Sequence, residues 1–313
     1  MTLEALIVRM LNKPQKPRAP DPRCVHLGES QSLIGRERQP FCFSLAQALH
    51  GAVTGRTGCG KTTLLMRLMQ ECLRLEVGFF SIDFHGPATE ELLGLIGRAA
   101  QANPGHAREY ILYRPWAGDT VIGWNPLKIR GEVLYRTVQQ LVAIFRSKFW
   151  ANSWGPRLEE ILLMTLLALA DAGLTLPEAV PFLTEAAFQR AVLRRVTLPA
   201  VRDFWLLRFA RLSPAQRIIA IEPILNKLAL FAHDPILRYT LGQQQGTLDF
   251  DEVLSRGQTV IADFSSGQMS GINHLLGALV VLSFQGAVMR RPADAQPYLF
   301  ILDEFQEVVA WEH

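Results

Sequence analysis

The chain has 313 residues, enough for one large domain or two small ones. With 49% hydrophobic and 19% charged residues it can bury a sizeable core, which excludes a disordered tail, a collagen-like chain and a disulfide miniprotein. A net charge of +3 is too small to argue nucleic-acid binding by itself, so any such activity has to come from local clusters.

Met1 to Lys13 carries Glu4 and Arg9 among apolar residues and predicts a short amphipathic helix rather than a secretion signal. Pro14 to Pro22 holds four prolines among charged residues and reads as an extended linker, so residues 1–24 form a lead segment. Residues 25–130 read as a small strand-rich lead-in followed by the first part of an α/β core. Short apolar runs suited to buried parallel strands stand at Gly51–Thr54, Gly78–Asp83 and Tyr110–Tyr113. Residues 131–245 are rich in Leu, Ala and Arg at helical spacing, with prolines mostly where helices could begin or end; they read as an inserted helical subdomain. Residues 246–313 return to the α/β pattern, with strand candidates at Thr259–Phe264 and Tyr298–Leu302.

Two strongly apolar runs, Ile161–Ala170 and Leu275–Met289, fall short of the roughly 20 residues a spanning helix needs and read as buried core helices. Cys24, Cys42, Cys59 and Cys72 contain no CxxC pair, so neither a zinc site nor a disulfide framework is expected. The expected location is the cytoplasm, with peripheral attachment at the inner membrane left open.

The most informative residues are Gly55, Arg56, Thr57, Gly58, Cys59, Gly60, Lys61 and Thr62, which fit G-x-x-x-x-G-K-[ST] and are followed by Thr63. The glycines let successive backbone N–H groups turn inward around an anion. Lys61 supplies the charge for the β- and γ-phosphates of ATP, and Thr62 a hydroxyl for Mg2+. Leu64, Leu65, Leu68, Met69, Cys72 and Leu73 make an apolar stripe on the helix that follows, whose N-terminus would face the phosphates.

Tyr298-Leu299-Phe300-Ile301-Leu302-Asp303-Glu304 is an apolar strand ending in two acids. Asp303 is expected on the metal side, and Glu304 is expected to orient and deprotonate the attacking water. The two motifs are separated by 242 residues, more than a minimal nucleotide-binding core needs, which again predicts a large insertion.

Weaker signals remain. Arg190, Arg194, Arg195, Arg202, Arg208, Arg211 and Arg217 cluster around Trp205 and Phe209, and Arg194, Arg195 and Arg202 are candidate DNA contacts. The plainer reading is a solvated helix face over an aromatic core. Asp83-Phe84-His85-Gly86 follows a strand, with His85 read as a turn histidine. Phe264 to Gln268 superficially matches a transporter signature loop but directly continues a strand, and that reading is rejected.

Taken together the chain resembles the conjugation and type IV secretion motor ATPases of the HerA–FtsK superfamily, in particular coupling-protein-like and VirB4-like members. The resemblance rests on the phosphate loop, on Ile82 to Gly86, Asn125-Pro126-Leu127, Trp154 to Glu159, Pro223 to Lys227, and Leu302 to Gln306. It implies a RecA-like P-loop fold with an inserted all-α subdomain, ATP and Mg2+ as cofactors, and a hexameric ring. It also implies translocation of DNA or a relaxase–DNA substrate, together with membrane-associated secretion machinery, and it makes Gln306 a candidate sensor. Pro87 stands where the family usually carries an acid. The strands, sensor and arginine that follow the acidic strand in similar proteins are not in the sequence, so the expectation is one motor domain lacking its C-terminal strands. Two alternatives stay open: a non-hydrolysing nucleotide-binding or scaffold module that needs a partner, and a HerA-like DNA-processing or defence translocase.

Overall fold

The computed structural model describes residues 24–31, 38–44, 50–102, 109–118, 120–129, 133–149, 154–269 and 271–308. The expected N-terminal helix and the proline-rich linker lie outside the described residues. The chain divides into two compact units, Met1–Val77 and Gly78–His313.

In the first unit, β1 (Val25–Gln31) pairs antiparallel with β2 (Arg38–Phe43), from Val25 opposite Phe43 to Gln31 opposite Arg38, with an irregularity between His26 and Gly28. This is the strand-rich lead-in. Helix α1 (Lys61–Arg74) packs on β1, and what anchors it there is a carboxylate. The Glu71 side chain is 4% exposed and takes Arg67, Arg74 and the His26 backbone N–H as partners. Arg67 also donates to the His26 carbonyl and Arg74 to that of Cys24. One acid therefore satisfies the strand backbone and two guanidinium groups, as a buried carboxylate requires.

One expectation fails here. Gly51–Thr54 forms no strand; these residues are exposed, Val53 at 42%. An apolar run becomes a strand only where a neighbouring chain pairs its N–H and C=O groups, and hydropathy cannot supply that neighbour.

The second unit is built on a parallel sheet of order β4-β5-β3-β6, formed by β3 (Phe79–Asp83), β4 (Tyr110–Tyr113), β5 (Thr259–Asp263) and β6 (Leu299–Leu302). All four runs are unalternating apolar stretches, as strands covered on both faces must be. The central β3 and β5 are buried at every residue; the outer β4 and β6 are only partly so. Phe80 of β3 stands among Phe250, Phe284 and Phe300 at centroid distances of 5.2 to 6.0 Å. Helices α2 (Pro87–Ala102) and α11 (Asn273–Val288) follow β3 and β5. Helix α11 is apolar and buried over most of its length, as expected of Leu275–Met289, with Val288 and Met289 exposed at its end.

Between β4 and β5 the chain forms α3 (Leu134–Phe149), α4 (Pro156–Asp171), α5 (Ala179–Thr184), α6 (Ala186–Arg195), α7 (Pro199–Asp203), α8 (Pro214–His233), α9 (Pro235–Leu241) and α10 (Phe250–Arg256). Proline opens α4, α7, α8 and α9, where its missing N–H has no intrahelical partner to lose. Ser213 and Gln216 form a capping box at α8, and Asp234 caps α9. Trp205 and Phe209 lie inside, 4.7 Å apart, with Phe182 5.0 Å from Trp205. The aromatic pair among the arginines is therefore core. No described helix is long and apolar enough to cross a membrane.

Candidate functional site

The phosphate loop belongs to the first unit. Gly58 and Gly60 hold φ of 79° and 91°, a left-handed backbone that a Cβ would strain, and the chain then enters α1 directly at Lys61. A short turn, Cys59 N–H to Arg56 C=O at 3.2 Å, closes the loop. At Gly55 an added Cβ would run into Cys59 Sγ. The Lys61 ammonium donates to the carbonyl oxygens of Gly55 and Arg56, at 3.2 and 3.3 Å. Residues 55–60 are exposed along their whole length, and Thr62 and Thr63 are exposed on the first turn. The expected residues Gly55 to Thr63 thus form one continuous glycine-shaped loop at a helix N-terminus. That arrangement suits an anionic phosphate.

The apolar stripe on α1 is shifted from expectation. Met66, Met69 and Cys72 are buried with Glu71, while Leu64, Leu65 and Leu68 are only partly covered. Burial pushes the Cys72 thiol up to about 12. Burial alone would raise the Glu71 carboxyl, but Arg74, the His26 N–H and Arg67 more than offset it and hold the group below its ordinary value.

In the second unit the parallel sheet brings the carboxyl ends of its strands to one edge, where ligands of open α/β sheets bind. Asp83 ends β3 and Asp263 ends β5, directly opposite in register. Asp83 spends its oxygens locally: it accepts from the N–H groups of His85, Gly86 and Thr89 and from the Thr89 hydroxyl, at 2.9 to 3.0 Å. It fixes the turn into α2, and His85 is an exposed turn residue, as expected. Pro87 occupies the first position of that helix.

Asp263 is 2% exposed and accepts from Arg114 Nε at 2.8 Å and from the Ser265 N–H at 3.0 Å. Arg114 also bonds Glu90 and lies over the Trp116 ring, whose Nε1–H donates to the Asp263 carbonyl. The Glu90–Arg114–Asp263 chain escaped the sequence reading. Its trace there was an Asp next to the end of the apolar run Thr259–Phe264.

Asp303 and Glu304 follow β6 at the same edge. The Glu304 N–H donates to Asp303 Oδ1 at 3.0 Å, and Glu304 adopts φ 55° and ψ 52°, one of two left-handed non-glycine residues described. Gln306, the candidate sensor, donates its side-chain amide to Glu304 Oε2. Among the described residues no group of three or more His, Cys, Asp or Glu could hold a metal by itself.

The candidate DNA contacts part company. Arg195 donates to the Ala172 carbonyl at the end of α4, and Arg194 Nε to the Arg190 carbonyl one turn back. Arg208 forks onto Glu160, and Arg217 serves the carbonyls of Ala210 and Leu212. Arg202 is exposed. The family-like stretches are structural where they are described: Asn125 bonds the Leu174 carbonyl and caps its own turn at Leu127, and Ile224 is fully buried.

The fold is thus α/β with a four-stranded parallel sheet and many helices, the RecA-like P-loop class. No protein-family model and no curated protein matches the sequence. Among solved structures, the chain is similar to the unbound bacterial conjugative coupling protein TrwB, with a TM-score of 0.52, 15% identity and coverage of 81% of this chain and 55% of that one. It is likewise similar to TrwB with ADP and Mg2+ (TM-score 0.52, 16% identity, 81% and 56%). VirB4 of Thermoanaerobacter pseudethanolicus matches at TM-score 0.54 and 13% identity over 92% of this chain and 69% of that one. At these identities the likeness is one of fold, and the chain spans little more than half the length of the coupling protein. The resemblance to conjugation and type IV secretion motors is borne out at that level.

Proposed function

We propose that the chain is an ATP-binding motor subunit of the conjugation and type IV secretion kind, coupling ATP hydrolysis to movement of DNA or a DNA–protein substrate. The observation that carries the proposal is the loop Gly55–Lys61, left-handed at Gly58 and Gly60 and running directly into α1, in a chain with the fold of TrwB and VirB4. The TrwB structures with ADP and Mg2+ and with an ATP analogue support the same nucleotide here.

The loop's N–H groups and the Lys61 ammonium bind the phosphates, and Thr62 offers its hydroxyl to Mg2+. Mg2+ held there with the nucleotide would supply charge neutralisation at the phosphate oxygens. In the second unit Asp303 is assigned the part of a metal-side carboxylate, and Glu304 that of orienting an attacking water and taking its proton. A homo-oligomeric ring working on DNA beside membrane-associated secretion machinery is the setting this reading implies. Steady-state hydrolysis of MgATP tests it: turnover by the chain that disappears in Glu304→Gln, with ATP binding retained, is the expected result. Turnover unaffected by Glu304→Gln rejects Glu304 as the base.

A further inference from the structure

Glu304 sits in a backbone region that costs a non-glycine residue about 1–2 kcal/mol, so its surroundings must hold it there. Inside the turn that follows, the Glu307 N–H donates to the Glu304 carbonyl at 2.9 Å and the Val308 N–H to that of Phe305 at 3.2 Å. Two side chains then reach in from other elements. The Lys148 ammonium, in the last turn of α3, donates to the Glu307 carbonyl at 3.1 Å. His274, at the start of α11, has Nδ1 3.0 Å from Glu307 Oε2, a close approach that is not aligned as a hydrogen bond; that nitrogen is buried and has no hydrogen-bond partner among the described residues.

The imidazole also stacks on Phe84, just beyond β3, at 5.7 Å and 29°. One turn along α11, Gly277 leaves room for Phe84 and Val308: an added Cβ would come within 2.7 Å of the ring and 3.0 Å of the valine. The segment after the acidic strand is therefore held at its backbone by α3, while α11 brings His274 within 3.0 Å of the Glu307 carboxylate and packs its Gly277 surface against Val308. Lys148 gives up part of its hydration for this, and burial lowers its pKa while the Glu307 charge offsets some of the effect. An ammonium placed so gains little stability but defines where the turn stands.

We propose that Lys148 and His274 are positioning residues for Glu304: they clamp the Phe305–Glu307 turn and so fix the orientation of the Glu304 carboxylate. Because α3 packs on α4 as well as on α11, a shift of the inserted helices is passed to the turn after Glu304 through the Lys148–Glu307 bond. The proposal rests on the reading of Glu304 as the water-orienting residue, and its test is chosen to separate the two.

Lys148→Met removes the donor and keeps the stem; His274→Phe keeps the ring on Phe84 and removes Nδ1. In steady-state hydrolysis of MgATP by the full chain, both variants are expected to lower kcat by about ten- to a hundred-fold with KM unchanged, as misplacement of a reacting group does. Lys148→Arg should regain most of the loss. Amide hydrogen exchange, which needs no turnover, should speed up at Glu307 and Val308 in both variants while β6 and α11 keep their protection. A chain that does not hydrolyse ATP at all refutes the role of Glu304 and leaves the clamp to the exchange measurement. Unchanged exchange at Glu307 and Val308, or a loss confined to KM, overturns the clamp. Should Lys148→Met fail to fold, His274→Phe carries the same measurements.

Discussion

Arg114 offers the sharpest test of how the sheet edge is held together. Its guanidinium is 19% exposed and bonds a carboxylate, Asp263, that is 2% exposed, while its second partner Glu90 is 68% exposed. The two ion pairs should therefore differ greatly in energy. Replacing Arg114 with Met keeps the stem but leaves the buried Asp263 carboxylate with only the Ser265 N–H among the described residues. Breaking a buried pair in this way costs about 3 kcal/mol or more. Loss of the cation–π contact with Trp116, at 5.6 Å, adds about 0.5–1 kcal/mol. Glu90→Gln, at the exposed end, should cost no more than about 1 kcal/mol. Urea unfolding followed by tryptophan fluorescence reads the difference as a midpoint lowered by about 1 M or more for Arg114→Met, against little change for Glu90→Gln. Adding Asp263→Asn to Arg114→Met removes the orphaned charge and should recover part of the loss, giving a coupling energy in the double-mutant cycle. Equal, small effects of Arg114→Met and Glu90→Gln would refute the assignment of Asp263 as a buried charge held by Arg114.

Other predictions concern the first unit and the packing of the second. The Glu71 carboxyl is held below its ordinary value near 4.5, so its stabilisation is present above that pH and lost as the pH falls through the lower, folded value. Glu71→Gln should accordingly cost about 1–3 kcal/mol at pH 7, with the gap to the parent narrowing in unfolding curves below about pH 4; a gap independent of pH would contradict this. Cys59 is exposed on the phosphate loop and Cys72 is buried with its thiol pushed up to about 12. Iodoacetamide should label Cys59 and spare Cys72 in the folded chain, and MgATP should slow the Cys59 reaction; mass spectrometry of the peptides decides. Gly78→Ala would drive a Cβ into the Gly257 carbonyl and within 2.9 Å of the Tyr298 ring, so thermal unfolding should show a loss of about 1–3 kcal/mol.

How much of this was legible in the residues depends on how local each cause is. The strands at Phe79–Asp83, Tyr110–Tyr113, Thr259–Asp263 and Leu299–Leu302 stood out because burial on both faces demands unbroken apolar runs. Prolines marked the starts of α4, α7, α8 and α9 for an equally local reason. The phosphate loop was legible because its glycines, lysine and threonine are consecutive.

What escaped depends on partners far away in the chain. Gly51–Thr54 has the composition of a strand but no ladder neighbour. Glu71 interrupts an apolar stripe and looks exposed until the His26 backbone and two arginines are placed around it. Arg114 and Asp263 lie 149 residues apart, and no spacing rule joins them. The arginines around Trp205 show the same limit from the other side, because a basic run cannot reveal that Arg195, Arg208 and Arg217 are engaged with carbonyls and a carboxylate of the chain itself.

The central claim is that the Gly55–Thr63 loop binds the phosphates of ATP, and calorimetric titration of MgATP into the parent chain and into Lys61→Ala tests it most directly. The Lys61 charge-assisted contacts should be worth about 1.5–3 kcal/mol, so binding should weaken by about ten- to a hundred-fold or fall below detection in Lys61→Ala, with the fold unchanged by circular dichroism. Equal affinity in the two proteins, or no binding of MgATP by the folded parent, would contradict the account.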